Sequence, residues 1–285
     1  MTLPKRIISR LDIKNNTLVK GIHLEGLRVL GDPKEYALKY FEEGIDEIHY
    51  QDVVASLYNR NQLDNVIENT VKNIFVPICV GGGIRTLADI DKLLKLGADK
   101  VVINSAAVKE PEFIKEATNK YGSSTIAVAI EAIKINSNND YKILIESGRE
   151  NTDLNILEWL EKIQKFGAGE IILTSIDKEG TKKGYDIELC SLVKKNSSVP
   201  IIAHGGAGKI EDIVEVFKKT NVDAVSIATI LHYNYLNVNN QNNQNNKNSG
   251  NYSFINKLDK TKNSIVQTIT QIKLELEAND IKIRI

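Results

Sequence analysis

No charge of either sign prevails in this sequence. Its 37 Lys and Arg residues are matched by 37 Asp and Glu, so bulk electrostatics hold neither nucleic acid nor an anionic membrane. Local pairs such as Lys182-Lys183 read as solvated loop residues. Cysteine is sparse as well. Cys79 and Cys190 stand alone, without CxxC spacing, and are expected to be buried or incidental thiols in a reducing compartment. Apolar runs are short. None approaches the roughly 18 residues of a spanning helix, and the opening MTLPKRIISRLD lacks the apolar region of a signal peptide. The expectation is a cytoplasmic protein with no metal and no cofactor.

What remains is an ordinary globular composition, 42% hydrophobic and 26% charged over 285 residues, enough to bury a large core. A single domain over 1–285 is expected. The exception is NVNNQNNQNNKNSGN, residues 237–251, which has almost nothing to bury and reads as a flexible surface loop.

One phrase occurs twice. VPICVGGGIRTLADI runs from Val76 to Ile90 and VPIIAHGGAGKIEDI from Val199 to Ile213, so Pro77 and Pro200 stand 123 positions apart. GIDEI at Gly44 and GAGEI at Gly167 repeat the spacing of 123, and ADKVVINSA at Ala98 meets VDAVSIATI at Val222 at 124. Three registers that agree within one residue make the chain two related halves.

Each half carries four short apolar runs: RIISRLD, DEIHYQD, PICVGG and KVVIN, then TIAVAIE, EIILTSI, PIIAHGG and DAVSIA. Helical patterns such as DIDKLLKLGA and LNILEWLEKIQKFGA lie between them. Near-continuous apolar strands alternating with amphipathic helices imply a parallel sheet covered by helices. Eight such units predict a (β/α)8 TIM barrel built from two homologous half-barrels. A doubly wound open sheet is the rival, but a two-fold repeat of four units closes more naturally.

In such barrels the chemistry gathers where strands end. Strand ends carry Asp12 in the first half and Glu131 in the second, two glycine clusters (Gly81-Gly82-Gly83 and Gly205-Gly206), and the pairs Asn104-Ser105 and Ala228-Thr229. Glycines let backbone N–H groups approach an anion, and a following helix N-terminus favours it. Two such loops suggest a phosphate cradle per half, hence a substrate with a phosphate at each end; the alternative is a pair of tight turns. Asp12 and Glu131 then face each other between the cradles as general acid and base. The plainer alternative is that either caps a helix or pairs with a lysine such as Lys20. At the opposite end, Arg6, Glu47, Lys100 and Glu170 each open a strand. Charges entering apolar strands must pair, which predicts a ring plugging the barrel bottom, either structural or a gate.

With these residues in view the chain resembles the cyclase subunit of imidazole glycerol phosphate synthase. KRIISRLDIK, LVKG, GDP, GIDEIHYQD, VGGGIR, GADKVVINSAAV, GAGEIILTSID, GTKKGYD and VPIIAHGGAG follow in that family's order. The resemblance implies a heterodimer with a class I glutaminase whose ammonia enters through the barrel bottom. It implies attack on a bis-phosphate, a phosphoribulosyl formimino aminoimidazole carboxamide ribotide, giving imidazole glycerol phosphate and aminoimidazole carboxamide ribotide. It places Asp12 on the first catalytic aspartate, Lys20 on a mobile first loop, and Arg6, Glu47, Lys100 and Glu170 on the ammonia gate. The phosphate positions fall on Gly83, Asn104, Ser105, Gly180, Gly206, Ala228 and Thr229.

Four positions depart from the family pattern. Glu131 replaces the second catalytic aspartate, Glu179 the second aspartate of Asp-x-Asp-Gly-Thr, and His204 a small hydroxyl residue, while His23 stands in a loop that normally differs. An added methylene moves a carboxylate by roughly 1 Å, enough to change a rate about 10²-fold. Two other readings follow: a paralogue that aminates or amidinates a surface-polysaccharide sugar, and a non-catalytic ammonia conduit.

Overall fold

The computed structural model describes residues 3–55, 63–135, 140–242 and 268–284. Its twelve strands run β1 (Arg6–Lys14), β2 (Thr17–Ile22), β3 (Glu25–Gly31), β4 (Glu47–Asp52), β5 (Ile78–Gly81), β6 (Lys100–Ile103), β7 (Ile126–Lys134), β8 (Tyr141–Ile145), β9 (Glu150–Asn155), β10 (Glu170–Ser175), β11 (Ile201–His204) and β12 (Ala224–Ile227). Eight of them form one parallel closed sheet in the order β1-β4-β5-β6-β7-β10-β11-β12, with β12 returning to β1. The eight predicted apolar runs are these eight strands. The barrel is a (β/α)8 barrel.

Helices α1 (Pro33–Glu42), α2 (Asp64–Thr70), α3 (Leu87–Lys95), α4 (Ser105–Lys109), α5 (Glu112–Tyr121), α6 (Ile156–Lys165), α7 (Ile187–Lys195), α8 (Ile210–Thr220), α9 (Thr229–Asn242) and α10 (Ile269–Ala278) connect and follow the strands. Helix α9 runs through the first residues of the Asn-rich segment, which was expected to be loop from 237; residues 243–251 of that expectation lie outside the described residues.

Strand periodicity divides the core in two. On β1, Ile7, Leu11 and Ile13 face outward into the large cluster shared with the helices. Ile8 faces inward, where it meets Cys79, Val102, Ala127, Ile172, Ile202 and Ala224 in a separate apolar collar around the axis. Both cysteines are free and buried.

The two-fold repeat reaches further than its sequence phrases. Each half opens on a nine-residue strand, β1 or β7, that continues into an antiparallel hairpin, β2–β3 or β8–β9. The repeated Val-Pro is structural: the carbonyls of Pro77 and Pro200 accept from the amides of Ile48 and Ile171, each at 3.0 Å. So is the repeated Asp-Ile. Asp89 Oδ2 accepts from the amides of Arg85 and Thr86 before α3, and Asp212 Oδ2 from those of Gly208 and Lys209 before α8, satisfying amides that a helix start leaves free.

The last helix is fastened by charge. Lys273 on α10 reaches Asp46 Oδ1 at 2.7 Å, while Asp46 Oδ2 accepts from Ile7 N at 2.7 Å; both side chains are buried. Removing one partner of such a pair strands the other charge. Lys273→Met is therefore expected to lower unfolding stability by about 3 kcal/mol, read from urea denaturation midpoints.

Candidate active site at the barrel mouth

Asp12 lies on β1 and Glu131 on β7, each at the point where the barrel strand starts pairing with its hairpin: Asp12 opposite Val19, Glu131 opposite Leu144. The two carboxylates share one recess with Arg10, Lys20, Leu24, Ser147 and Glu179. Neither caps a helix. The partner of Asp12 is Arg10 rather than a lysine: Arg10 Nε donates to Asp12 Oδ1 at 2.8 Å, with both side chains buried.

That arrangement sets the two groups apart electrostatically. Burial alone would raise Asp12, but Arg10, then Lys20, overrides it and holds the carboxyl at about 2. Burial dominates at Glu131 and lifts it to about 7, against the pull of Arg10 and of the Gly148 amide, which donates to Glu131 Oε2 at 3.0 Å. Near neutral pH one group is a carboxylate able to accept a proton and the other retains one to give, the division of labour that acid–base catalysis needs.

Both hairpins fold over this recess. Lys20, implied to ride on a mobile loop, instead stands in β2, buried and ion-paired with Glu179. Glu179 also accepts from Leu24 N through Oε2 at 3.2 Å, its carbonyl takes His23 N at 3.0 Å, and His23 Nδ1 lies 2.7 Å from the Ile176 carbonyl. Two of the four departures, His23 and Glu179, thus form one clamp between β2–β3 and the loop after β10. On the other side Ser147 Oγ donates to the Val53 carbonyl at 3.1 Å, and Ser105 Oγ accepts from Glu146 N at 3.0 Å.

The glycine loops are not equivalent. Gly82, Gly83, Asn104 and Ser105 line an open cavity of about 230 Å³ that also touches Arg10, His49, Arg85, Lys109 and Glu131. Cations beside a Gly-rich turn suit an anion. Chain also approaches chain in both loops: a side chain at Gly82 would begin 2.3 Å from the Asp52 carbonyl oxygen, and the second loop is packed the same way. Gly184 N donates to the Gly206 carbonyl at 2.9 Å, and a side chain at Gly206 would begin 2.0 Å from the Gly184 carbonyl oxygen. A side chain at Gly180 would begin 2.5 Å from the Gly21 carbonyl oxygen. Packing explains these two glycines without a ligand. Ala228 and Thr229 lie at the start of α9, both buried.

The four bottom charges do form a ring. Arg6 donates to Glu47 Oε2 at 3.0 Å and to Glu170 Oε1 at 2.6 Å, while Lys100 Nζ reaches Glu47 Oε2 at 3.0 Å and Glu170 Oε2 at 2.8 Å. Each cation bridges both anions. Burial pushes Glu47 up despite its cationic neighbours. For Arg6 and Lys100 the paired carboxylates overcome burial and hold both above their ordinary values.

Arg10 escaped the sequence reading although a signal existed. It stands two residues before Asp12 and two after Ile8, so strand alternation turns all three inward. His49, two residues beyond Glu47, follows the same rule.

A family model described as histidine biosynthesis protein matches residues 6–237. The chain is 50% identical over 207 residues to the imidazole glycerol phosphate synthase subunit HisF of Legionella pneumophila, covering 73% of this chain and 97% of that one. Subunits of the same name from Lactococcus lactis subsp. cremoris and Hydrogenobaculum sp. are 46% and 48% identical over 81% and 82% of this chain, and over 89% and 93% of theirs.

The raised Glu131 has a consequence for stability. A carboxyl whose folded value exceeds its ordinary 4.5 favours folding below that value, and the contribution is lost as pH rises through about 7. Glu131→Gln cannot ionise. Relative to the parent, its unfolding stability is expected to gain about 3 kcal/mol between about pH 4 and about pH 8, measured by denaturant titration at each pH.

Proposed function

The chain belongs to the histidine biosynthesis protein family, among the imidazole glycerol phosphate synthase subunits named HisF, and on that premise we propose how its site works. It is the cyclase subunit of the synthase, an enzyme of histidine biosynthesis. The observation that carries a mechanism is the pair of buried carboxyls around Arg10, with Asp12 hydrogen-bonded to it and lowered, and Glu131 unpaired with it and raised by burial.

The substrate is the formimino ribotide with a phosphate at each end. One phosphate lies in the open cavity against Gly83, Asn104, Ser105, Arg85 and Lys109. The other lies toward Gly206, Ala228 and Thr229, where the backbone rather than an open cavity must receive it. Ammonia attacks the bound substrate. Asp12, ionised, takes the proton that the attacking nitrogen sheds, and Glu131 returns a proton to the departing aminoimidazole carboxamide ribotide. Ring closure then joins the same nitrogen to the ribulosyl carbonyl carbon, whose oxygen leaves as water, and imidazole glycerol phosphate remains.

Clamping by both hairpins excludes water that would compete with ammonia. Substrate entry requires the Lys20–Glu179 pair to open, which frees Lys20 for a phosphate. Among the described residues no helix is long and apolar enough to cross a membrane, and the proposed setting is the cytoplasm.

The chain acts as one subunit of a complex, and its partner is a class I glutaminase docked at the barrel bottom. The ring of Arg6, Glu47, Lys100 and Glu170 lies over the ammonia path. Opening it requires one cation to leave two carboxylates, which a docked partner offering replacement contacts can bring about.

Asp12→Asn keeps the shape and the hydrogen bond to Arg10 but cannot carry the proton. It is expected to lower turnover with free ammonium by at least about 10³-fold while substrate affinity by calorimetry stays within about threefold. A parent protein that binds the ribotide and releases no imidazole glycerol phosphate in excess ammonium would sink the cyclase reading.

Lys100→Met opens the ring from one side. The variant is expected to retain ammonium-dependent turnover, while glutamine hydrolysis by the co-purified glutaminase becomes uncoupled from product formation. Unchanged coupling, or no complex at micromolar concentration, would remove the gate.

A further inference from the structure

Above the apolar collar the barrel interior turns polar in a way the carboxylates do not explain. One inward position further along each strand from the collar, Ile8 is followed by Arg10, Ile202 by His204 and Ala224 by Ser226; on β4 the gate residue Glu47 is followed by His49. These four residues come from consecutive strands, in the order β11-β12-β1-β4. All four are buried, with Arg10 and His204 at 4% exposure and His49 and Ser226 at 1%.

Three of them hold polar atoms without a partner: both ring nitrogens of His49, Nε2 of His204 and Oγ of Ser226. Gln51, two residues on, is a polar side chain beside His49, close enough to act on its ring. Buried polar atoms are normally satisfied, so a group of orphans in one place asks for a ligand. The His204 ring also says which kind. Its Nδ1 lies 3.0 Å from the Ser226 carbonyl. A carbonyl only accepts, so Nδ1 carries the proton and Nε2 is left as a bare acceptor facing inward. Its missing partner must be a donor. His49, with one donor and one acceptor nitrogen, can complete either need.

We propose that His49 and His204, flanking Arg10 and Ser226 in strand order, hold one molecule of ammonia between the apolar collar and the two carboxylates. Ammonia has three donor hydrogens and one lone pair, which matches two acceptor nitrogens, a hydroxyl and one N–H. It is also small enough to cross the collar. The open cavity reaches this level, since Arg10, His49, Val102 and Ala129 line its floor together with Glu131. Arg10 decides the charge state of the guest. A guanidinium beside the site repels ammonium and leaves the neutral, nucleophilic form. Burial, and after it Arg10, keeps both imidazoles from protonating, His49 at about 3.

The inference rests on reading the barrel as an ammonia-using cyclase, so its test must be able to fail separately. The chain has only four histidines, His23, His49, His204 and His232, so the ring-nitrogen spectrum of the full chain labelled with 15N-histidine is assignable from single His→Gln variants. The protein is titrated at alkaline pH with ammonium chloride, and in parallel with potassium chloride at equal ionic strength. Saturable shifts of the His49 and His204 ring nitrogens with ammonium alone, with His23 and His232 unmoved, are expected. Equal shifts with potassium, or none at either ring, overturn the site whatever the turnover. In the cyclase assay, His49→Phe and His204→Ser are each expected to raise the KM for ammonium roughly tenfold with kcat within about twofold and the KM for the ribotide unchanged. Unchanged ammonium KM in both variants contradicts the site as a station on the path. Ring shifts without any turnover in the parent keep the site and remove the cyclase reading.

Discussion

A cation buried on the axis of the barrel governs everything above it. Arg10 is inward-facing because β1 alternates, and once there it cannot be left without a counter-charge. Asp12, two residues on, supplies one directly, and Glu131 and Glu179 add to it at longer range. The consequences spread outward. Asp12 is locked as a carboxylate, while the imidazoles of His49 and His204, which sense the same guanidinium, stay neutral. Glu131 is the outlier. It also feels Arg10 but makes no direct hydrogen bond to it, so burial wins and the nearby Asp12 charge adds to it. One arginine, paired directly with only one of two similar buried carboxyls, thus leaves them unlike.

The half-barrel repeat carries both structure and chemistry, and the structure separates them. Val-Pro and Asp-Ile in the doubled phrase serve strand pairing and helix starts in both halves. The glycines have diverged in use. Gly82 and Gly205 still match, each pressed on the end of the preceding strand at the Asp52 or Ser175 carbonyl, but the first loop also edges an open cavity, whereas Gly206 meets the loop after β10 and Gly180 the β2–β3 hairpin. Symmetry of sequence coexists with asymmetry of access.

The barrel was legible because eight apolar runs and three agreeing repeat registers leave little else to build. The ring of four charges at the barrel bottom was legible for a similar reason: charges at four strand starts are satisfied by one another, and the observed ring uses all four. Asp12 and Glu131 could be placed from strand ends alone. Lys20 could not, since its burial depends on Glu179, 159 positions away, and no local pattern carries such a pairing. Arg10 was readable from alternation but hid in a run whose apolar neighbours drew attention first. The glycines show the limit most clearly, because a backbone contact with a phosphate and one with another loop demand the same residue.

The clamp and the glutamates belong together. Glu179 is long enough for one carboxylate oxygen to face Lys20 and the other the Leu24 amide, so the longer side chain brings the β2–β3 hairpin down onto the recess. Glu131 does the corresponding work opposite, taking the Gly148 amide from the β8–β9 turn. With an aspartate at either position the carboxylate would fall short by about one C–C bond, and a hairpin would lose its tether. The added methylenes are therefore matched to each other. Glu179 reaches across to hold the hairpin of the other half-barrel and Glu131 holds that of its own, and the burial of Glu131 beneath them is what lifts it into the range where it can still hold a proton at neutral pH.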